Sequence, residues 1–204
     1  MKGLIRKDLY MMKTYFRITW VVVLIFLVVG ALNEKASFYH AYSCMMGGIM
    51  PISILSYDEK ERWMDYADTL PLSAKTIVRS KYLFGLIFSI AVFVLATVSY
   101  AVNCAMHRGG DLSSVPAMAS VFLFLSVLPA ILLMPVLLKY GVERGRILYY
   151  ILFGALFAAV AVFGISDSFH PAADLSPAVL TVAAAILWVV SLTISQAVYP
   201  KRAR

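Results

Sequence analysis

Three features of the sequence predict an all-α, polytopic membrane protein: its apolar content, the length of its uncharged runs, and the placement of its basic residues. Of 204 residues, 62% are hydrophobic and 14% are charged, whereas soluble domains are roughly half apolar and a quarter charged. Runs free of Asp, Glu, Lys and Arg cover residues 18–32, 39–57, 82–106, 112–138, 147–165 and 175–200. About 20 mainly apolar residues cross a bilayer as a helix. The first run is short, and Thr14 to Phe16 must help it across. Lipid offers no hydrogen bonds to bare backbone, so each run must be a helix or a strand of a closed barrel. The runs lack in–out alternation, which selects helices. Six transmembrane helices in a single domain, 1–204, are therefore expected.

The net charge of +7 is distributed as in a membrane protein. Lys2, Arg6, Lys7, Lys13 and Arg17 precede the first run. Lys60, Arg62, Lys75, Arg79 and Lys81 lie between the second and third. Lys139, Arg144 and Arg146 follow the fourth, and Lys201, Arg202 and Arg204 follow the sixth. Only Lys35 and Arg108 occupy the alternate loops. Sixteen basic residues on one side against two on the other predict that both termini of a multi-pass membrane protein are cytoplasmic. A nucleic-acid footprint would gather on one face of a soluble domain instead, so no nucleic-acid partner is expected. Cys44 and Cys104 fall in separate apolar runs and read as small core residues, not as a metal site or a disulfide pair. The basic leader is long, and no clean small-x-small site follows the first run, so that run reads as an uncleaved anchor.

Residues 1–17 carry an amphipathic pattern. Ile5, Leu9, Met12 and Phe16 recur at helical spacing, with Lys2, Arg6, Lys13 and Arg17 on the opposite face. This predicts an interfacial helix that buries the apolar arc in the inner leaflet and turns its cations to lipid phosphates. Asp8 breaks the pattern by falling inside the apolar arc. It reads either as a solvated residue of a frayed start or as one half of a salt bridge to a cytoplasmic-loop Arg or Lys.

The longest polar stretch is 58–81, between the second and third runs. Residues 58–68, YDEKERWMDYAD with its preceding Tyr57, read as a short charged helix ended by Leu70-Pro71. Ser73 is a good N-cap, and from there to Met106 only Gly85 interrupts helix-forming sequence. A helix of that extent is about 50 Å long, longer than the ~30 Å hydrocarbon core, so its first turns project into the cytoplasm. The outer loops, 33–38, 107–111 and 166–174, are too short to fold as domains.

Catalytic chemistry is missing from the sequence. No run holds an ionisable group deep within it, which disfavours proton- or ion-coupled transport. There is no GxxxxGK[ST] phosphate loop, no HExxH and no GxSxG, so no enzymatic activity and no cofactor of its own are expected. His40, His107 and His170, with Asp111, Asp167 and Asp174, fall near expected outer helix ends, but no two histidines have ligand spacing, and no metal site is expected. Helix breakers say more. Gly47, Gly48 and Pro51 lie in the second run, and Pro129 and Pro135 in the fourth. Each proline frees a carbonyl four residues earlier, at Gly47, Leu125 and Ile131. These bends serve either ordinary packing or a lumen that lines a substrate path.

Arg6-Lys7-Asp8-Leu9, then DEKERW at 58–63, then TLPLSAKTIVRSKYL at 69–83, within a six-run chain, resemble the small permeases of the type 2 ATP-binding-cassette (ABC-2) family. More narrowly, they are similar to the permeases of phenol-soluble-modulin and related peptide exporters of Gram-positive bacteria. The motif portion lies in the N-terminal half, while the topology covers the chain. The resemblance implies a coupling helix in the elbow that docks on a separate ATPase binding ATP and Mg²⁺, and a dimer with a second permease copy or paralogue that encloses the path. On this chain it implies a docking face of Asp58, Glu59, Glu61, Arg62, Tyr66 and Asp68, with Leu70, Pro71 and Ser73 setting the turn into the third span. The expected function is export of an amphipathic peptide or other hydrophobic compound. The competing expectation is a membrane immunity or scaffold protein that binds a partner through the same loop.

Overall fold

A computed structural model describes residues 2–33, 36–69, 73–106, 112–142, 147, 151, 154 and 176–202. Among these residues the chain is helical and contains no strand. The helices are α1 (Lys2–Tyr15), α2 (Arg17–Leu32), α3 (Ala36–Lys60), α4 (Trp63–Thr69), α5 (Ala74–Met106), α6 (Val115–Tyr140) and α7 (Pro177–Arg202), with a 3₁₀ turn at Leu112–Ser114. Three are long and apolar enough to cross a membrane: α5, α6 and the Pro177–Tyr199 part of α7. Six spans are therefore more than the described helices establish. The expected first span appears as α2, with only 16 residues, and the second lies within the more polar α3. The expected fifth, 147–165, lies outside the described residues apart from isolated positions.

α1 does not continue straight into α2. The two meet at Phe16 with a bend of 74°, even though the Phe16 N–H still bonds the Met12 carbonyl at 3.0 Å. The expected arc of α1 is also rotated. Leu4 and Asp8 are buried, Met12 and Phe16 pack against the bundle core, and Leu9 is exposed. The helix spends its apolar face on its own bundle, because Asp8 finds charge partners there.

Small residues set how closely the helices approach, as expected where lipid removes the hydrophobic contrast between neighbours. A Cβ on Gly47 would come within 2.8 Å of Val92 on α5. One on Gly48 would strike the Ser126 carbonyl and lie 2.8 Å from Pro129 on α6. Pro51 presses on Gly85, where a Cβ would sit 2.9 Å from the proline ring. The Ser89 hydroxyl donates to that same Ser126 carbonyl at 3.0 Å, so α3, α5 and α6 converge there. Gly47, Gly48, Pro51 and Pro129 are buried, and Pro135 is half-buried. Gly47, Gly48, Pro51 and Pro129 thus lie where helices approach closely.

Of the three carbonyls released by prolines, that of Ile131 has a clear partner. Ser191 on α7 donates to it at 2.7 Å. The Tyr82 hydroxyl lies 2.7 Å from both Ser191 Oγ and Ser195 Oγ, which joins α5 to α7 and, through Ser191, to α6.

At the end away from the N terminus, Asn103 Nδ2 lies 3.1, 3.0 and 2.8 Å from the carbonyl oxygens of Gly30, Ala31 and Asn33, among which its two N–H groups are shared. It thereby satisfies the carbonyls that the end of α2 leaves open. Ser99 donates to the Leu27 carbonyl at 2.7 Å and lies 2.9 Å from His40 Nε2. With the Ser99 proton committed to Leu27, His40 donates through Nε2. His40 is buried between Tyr100 and Phe122, which makes it a packing residue at this end. His107, His170, Asp111, Asp167 and Asp174 lie outside the described residues. Among the described residues no cluster of His, Cys, Asp and Glu is arranged to hold a metal ion. Cys44 and Cys104 are free and buried.

Candidate functional site

The break between the second and third long helices falls later than the sequence suggests. Asp58, Glu59 and Lys60 are the last turn of α3, and the chain turns at Arg62, whose φ of 53° is left-handed. α3 is prolonged because Asp58 is drawn inward, where a helical turn keeps it facing the bundle. α4 then occupies Trp63–Thr69, and α5 starts at Ala74. Ser73 caps α5: the Thr76 N–H donates to Ser73 Oγ at 3.3 Å, and the two hydroxyl oxygens lie 2.7 Å apart. From that cap α5 runs without interruption for 33 residues, or about 50 Å.

Asp58 is buried rather than presented to a partner. Its Oδ1 accepts from Lys7 Nζ at 2.5 Å and its Oδ2 accepts from Lys81 Nζ. Lys81 also donates to Asp8 Oδ1 at 2.6 Å, and Lys7 stands 3.3 Å from that oxygen. Asp8, the residue out of place in the amphipathic pattern, is thus salt-bridged to a lysine of the loop region. Two ammonium groups and two carboxylates form a formally neutral cluster that ties α1, α3 and α5 together. Lys81 is only 3% exposed, while the Lys7 side chain keeps 22%. Burial, together with the nearby Lys81 ammonium, holds the Lys7 amine below the usual lysine range despite its bond to Asp58. The carboxylates therefore do not fully offset the desolvation of Lys7.

Trp63 links this cluster to the elbow. Lys7 Nζ lies 4.2 Å from its ring centroid, a cation–π contact. Trp63 also meets Tyr66 at 5.3 Å between ring centroids. Ala67, one turn on, is fully buried in a core with Leu133, Leu137, Val142 and Tyr199. Glu59 Oε2 accepts from the Val142 backbone N–H at 2.6 Å, just past the end of α6 at Gly141, where φ is 86°.

The residues expected to form a docking face thus divide. Glu61, Arg62 and Tyr66 are exposed. Asp58 faces inward, and Glu59 is engaged with the chain after α6. Ser73 is an exposed cap. The Asp68 side chain, Leu70 and Pro71 lie outside the described residues. Sequence reasoning counted Lys7 and Lys81 as basic flanking charge and quoted both within motif segments, but did not single them out as members of a site. A signal for Lys81 was present: it follows Ile77 by one helical turn and precedes Gly85 by another, along the stripe that α5 buries.

Three membrane-length apolar helices among the described residues, with a bent α1–α2 pair and a structured polar elbow at one end, define a multi-pass helical membrane protein. A family model described as ABC-2 family transporter protein matches residues 3–199. The chain belongs to that family, which implies a permease role and partnership with an ABC ATPase. No curated protein and no solved structure is a significant match to it.

Proposed function

We propose that this chain is the permease subunit of a bacterial ABC exporter that moves an amphipathic peptide or another hydrophobic compound outward or out of the inner leaflet. ATP and Mg²⁺ are held and hydrolysed on a separate ATPase, and this chain catalyses nothing by itself. A second permease copy or a paralogue completes the path. Both termini face the cytoplasm, a reading supported by the sixteen-to-two asymmetry of basic residues. The peptide-exporter assignment rests on the resemblance of DEKERW and TLPLSAKTIVRSKYL to such permeases.

The observation that carries this reading is the two-sided elbow. One side of it, Ala67 and Trp63, is locked into the bundle, and the other presents Tyr66, Glu61 and Arg62. An aromatic anchor with a charged rim suits a protein interface. Because α4 sits directly before α5, force applied to that face reaches a helix long enough to span the bilayer. The deciding experiment is ATP hydrolysis by the permease–ATPase complex in nanodiscs, with and without amphipathic peptides. Stimulation by a peptide, with the peptide appearing inside inverted vesicles only when ATP is present, is the expected result. Hydrolysis indifferent to every substrate, with the complex intact, would favour an immunity or scaffold protein that binds through the same loop.

A further inference from the structure

Two buried polar atoms beside the elbow have no hydrogen-bond partner among the described residues: Asp8 Oδ2 and Trp63 Nε1. Both belong to residues that touch Lys7, the one member of the charge cluster with partial access to solvent. Lys81 is fixed, since it bridges Asp8 and Asp58 from within the core. Lys7 is held differently. It bonds Asp58, lies 3.3 Å from the already engaged oxygen of Asp8, and is covered by the Trp63 ring.

We propose that Lys7 is a movable latch, held on Asp58 while Trp63 covers it and passing to the open oxygen of Asp8 when the ATPase draws α4 away. This deepens the elbow reading above and rests on it for the identity of what pulls. The exchange needs no charge to leave the cluster. Lys7 keeps one carboxylate in either position, and Lys81 stays bonded to both, so neither aspartate is left buried without a cation, which is the costly outcome for a buried ion pair. A buried acceptor without a donor is unfavourable, and the new position would satisfy it. Burial and the neighbouring Lys81 ammonium hold the Lys7 amine below the usual lysine range in its present position. α1 is then more than an anchor: it senses the elbow. Lys7 acts as a positioning residue, coupling α4 to α1 while α5 is held by Lys81.

The test reads Lys7 directly. Its amine is acetylated with a water-soluble N-hydroxysuccinimide ester in nanodiscs and quantified by peptide mass spectrometry against the exposed Lys13. In the permease alone, Trp63→Ala should raise Lys7 labelling severalfold while Lys75 stays constant. In the wild-type complex, a non-hydrolysable ATP analogue should produce the same rise. Lys7→Met should leave the ATPase bound but abolish the difference between substrate-stimulated and basal hydrolysis, and Lys7→Arg should restore it. Unchanged Lys7 labelling in Trp63→Ala, or in an intact complex on adding nucleotide, overturns the latch, as does normal coupling in Lys7→Met. If no ATPase binds, the docking reading has failed, and the Trp63→Ala labelling alone then decides whether the elbow holds Lys7.

Discussion

The two ends of the bundle are fastened by different chemistry. At the end bearing the N terminus, four charged side chains from α1, α3 and α5 share one buried cluster. At the opposite end, α2, α3 and α5 are joined by neutral groups, with Asn103 on three carbonyls and Ser99 between His40 and Leu27. Neutral hydrogen bonds of fixed geometry make a clamp, since each donor already meets its acceptor. Ionic partners of equal kind can be exchanged, because Lys7 has two carboxylates within reach. The difference teaches which end is built to hold and which is built to rearrange. The rearranging end also carries the exposed face of the elbow.

That contrast can be broken by mutation, and the largest effect is expected at the ionic end. Lys81→Met removes the fixed cation and leaves Asp8 and Asp58 dependent on Lys7 alone. Breaking a buried pair this way costs about 3–5 kcal/mol, which should appear as a lower midpoint of thermal unfolding in nanodiscs. A midpoint like that of the wild type would mean that the cluster contributes nothing to the joint. Asn103→Leu tests the clamp. It strips the end of α2 of a donor to three carbonyls, and each polar group left without a partner costs about 1–3 kcal/mol. Hydrogen exchange at Val29–Asn33 should rise without a change near Asp58.

Between the two ends, Gly48→Ala forces a methyl against the Ser126 carbonyl and Pro129. Overpacking of this kind costs about 1–3 kcal/mol, so the variant should unfold earlier than wild type, and Gly3→Ala, with open space around it, should not. The smallest effect is expected for Tyr82→Phe. Ser191 keeps its bond to Ile131, so the loss should be about 0.5–1.5 kcal/mol. A larger loss would show that Tyr82, and not Ser191, holds α7 on the bundle.

Much of this was legible in the sequence. Length and apolarity gave α5, α6 and α7, and Ser73 gave the start of α5 as a cap. Asp8 stood out as a carboxylate inside an apolar arc, and of its two readings the structure shows the salt bridge to a loop-region lysine. The partners were harder to read, because periodicity assigns a residue to a face of its own helix but not to the neighbour that face meets. Lys81 looked like flanking charge until α1 and α3 were seen to close over it. The resemblance placed Asp58 on the docking face of a helix read as starting at 58, whereas α3 continues through Asp58 and the chain turns at Arg62. Of the carbonyls that the prolines free, that of Ile131 accepts a hydrogen bond, and only the packing of α7 supplies its donor, Ser191.

The central claim is that the elbow separates a docking face from a transmitting joint. It is tested by the amount of ATPase that copurifies with the permease from membranes, comparing Tyr66→Ala combined with Glu61→Lys against Lys139→Glu in the last turn of α6. The elbow variant is expected to insert normally and lose most of its bound ATPase, while Lys139→Glu retains it. ATPase held at wild-type levels by the elbow variant, or lost instead from Lys139→Glu, would contradict it.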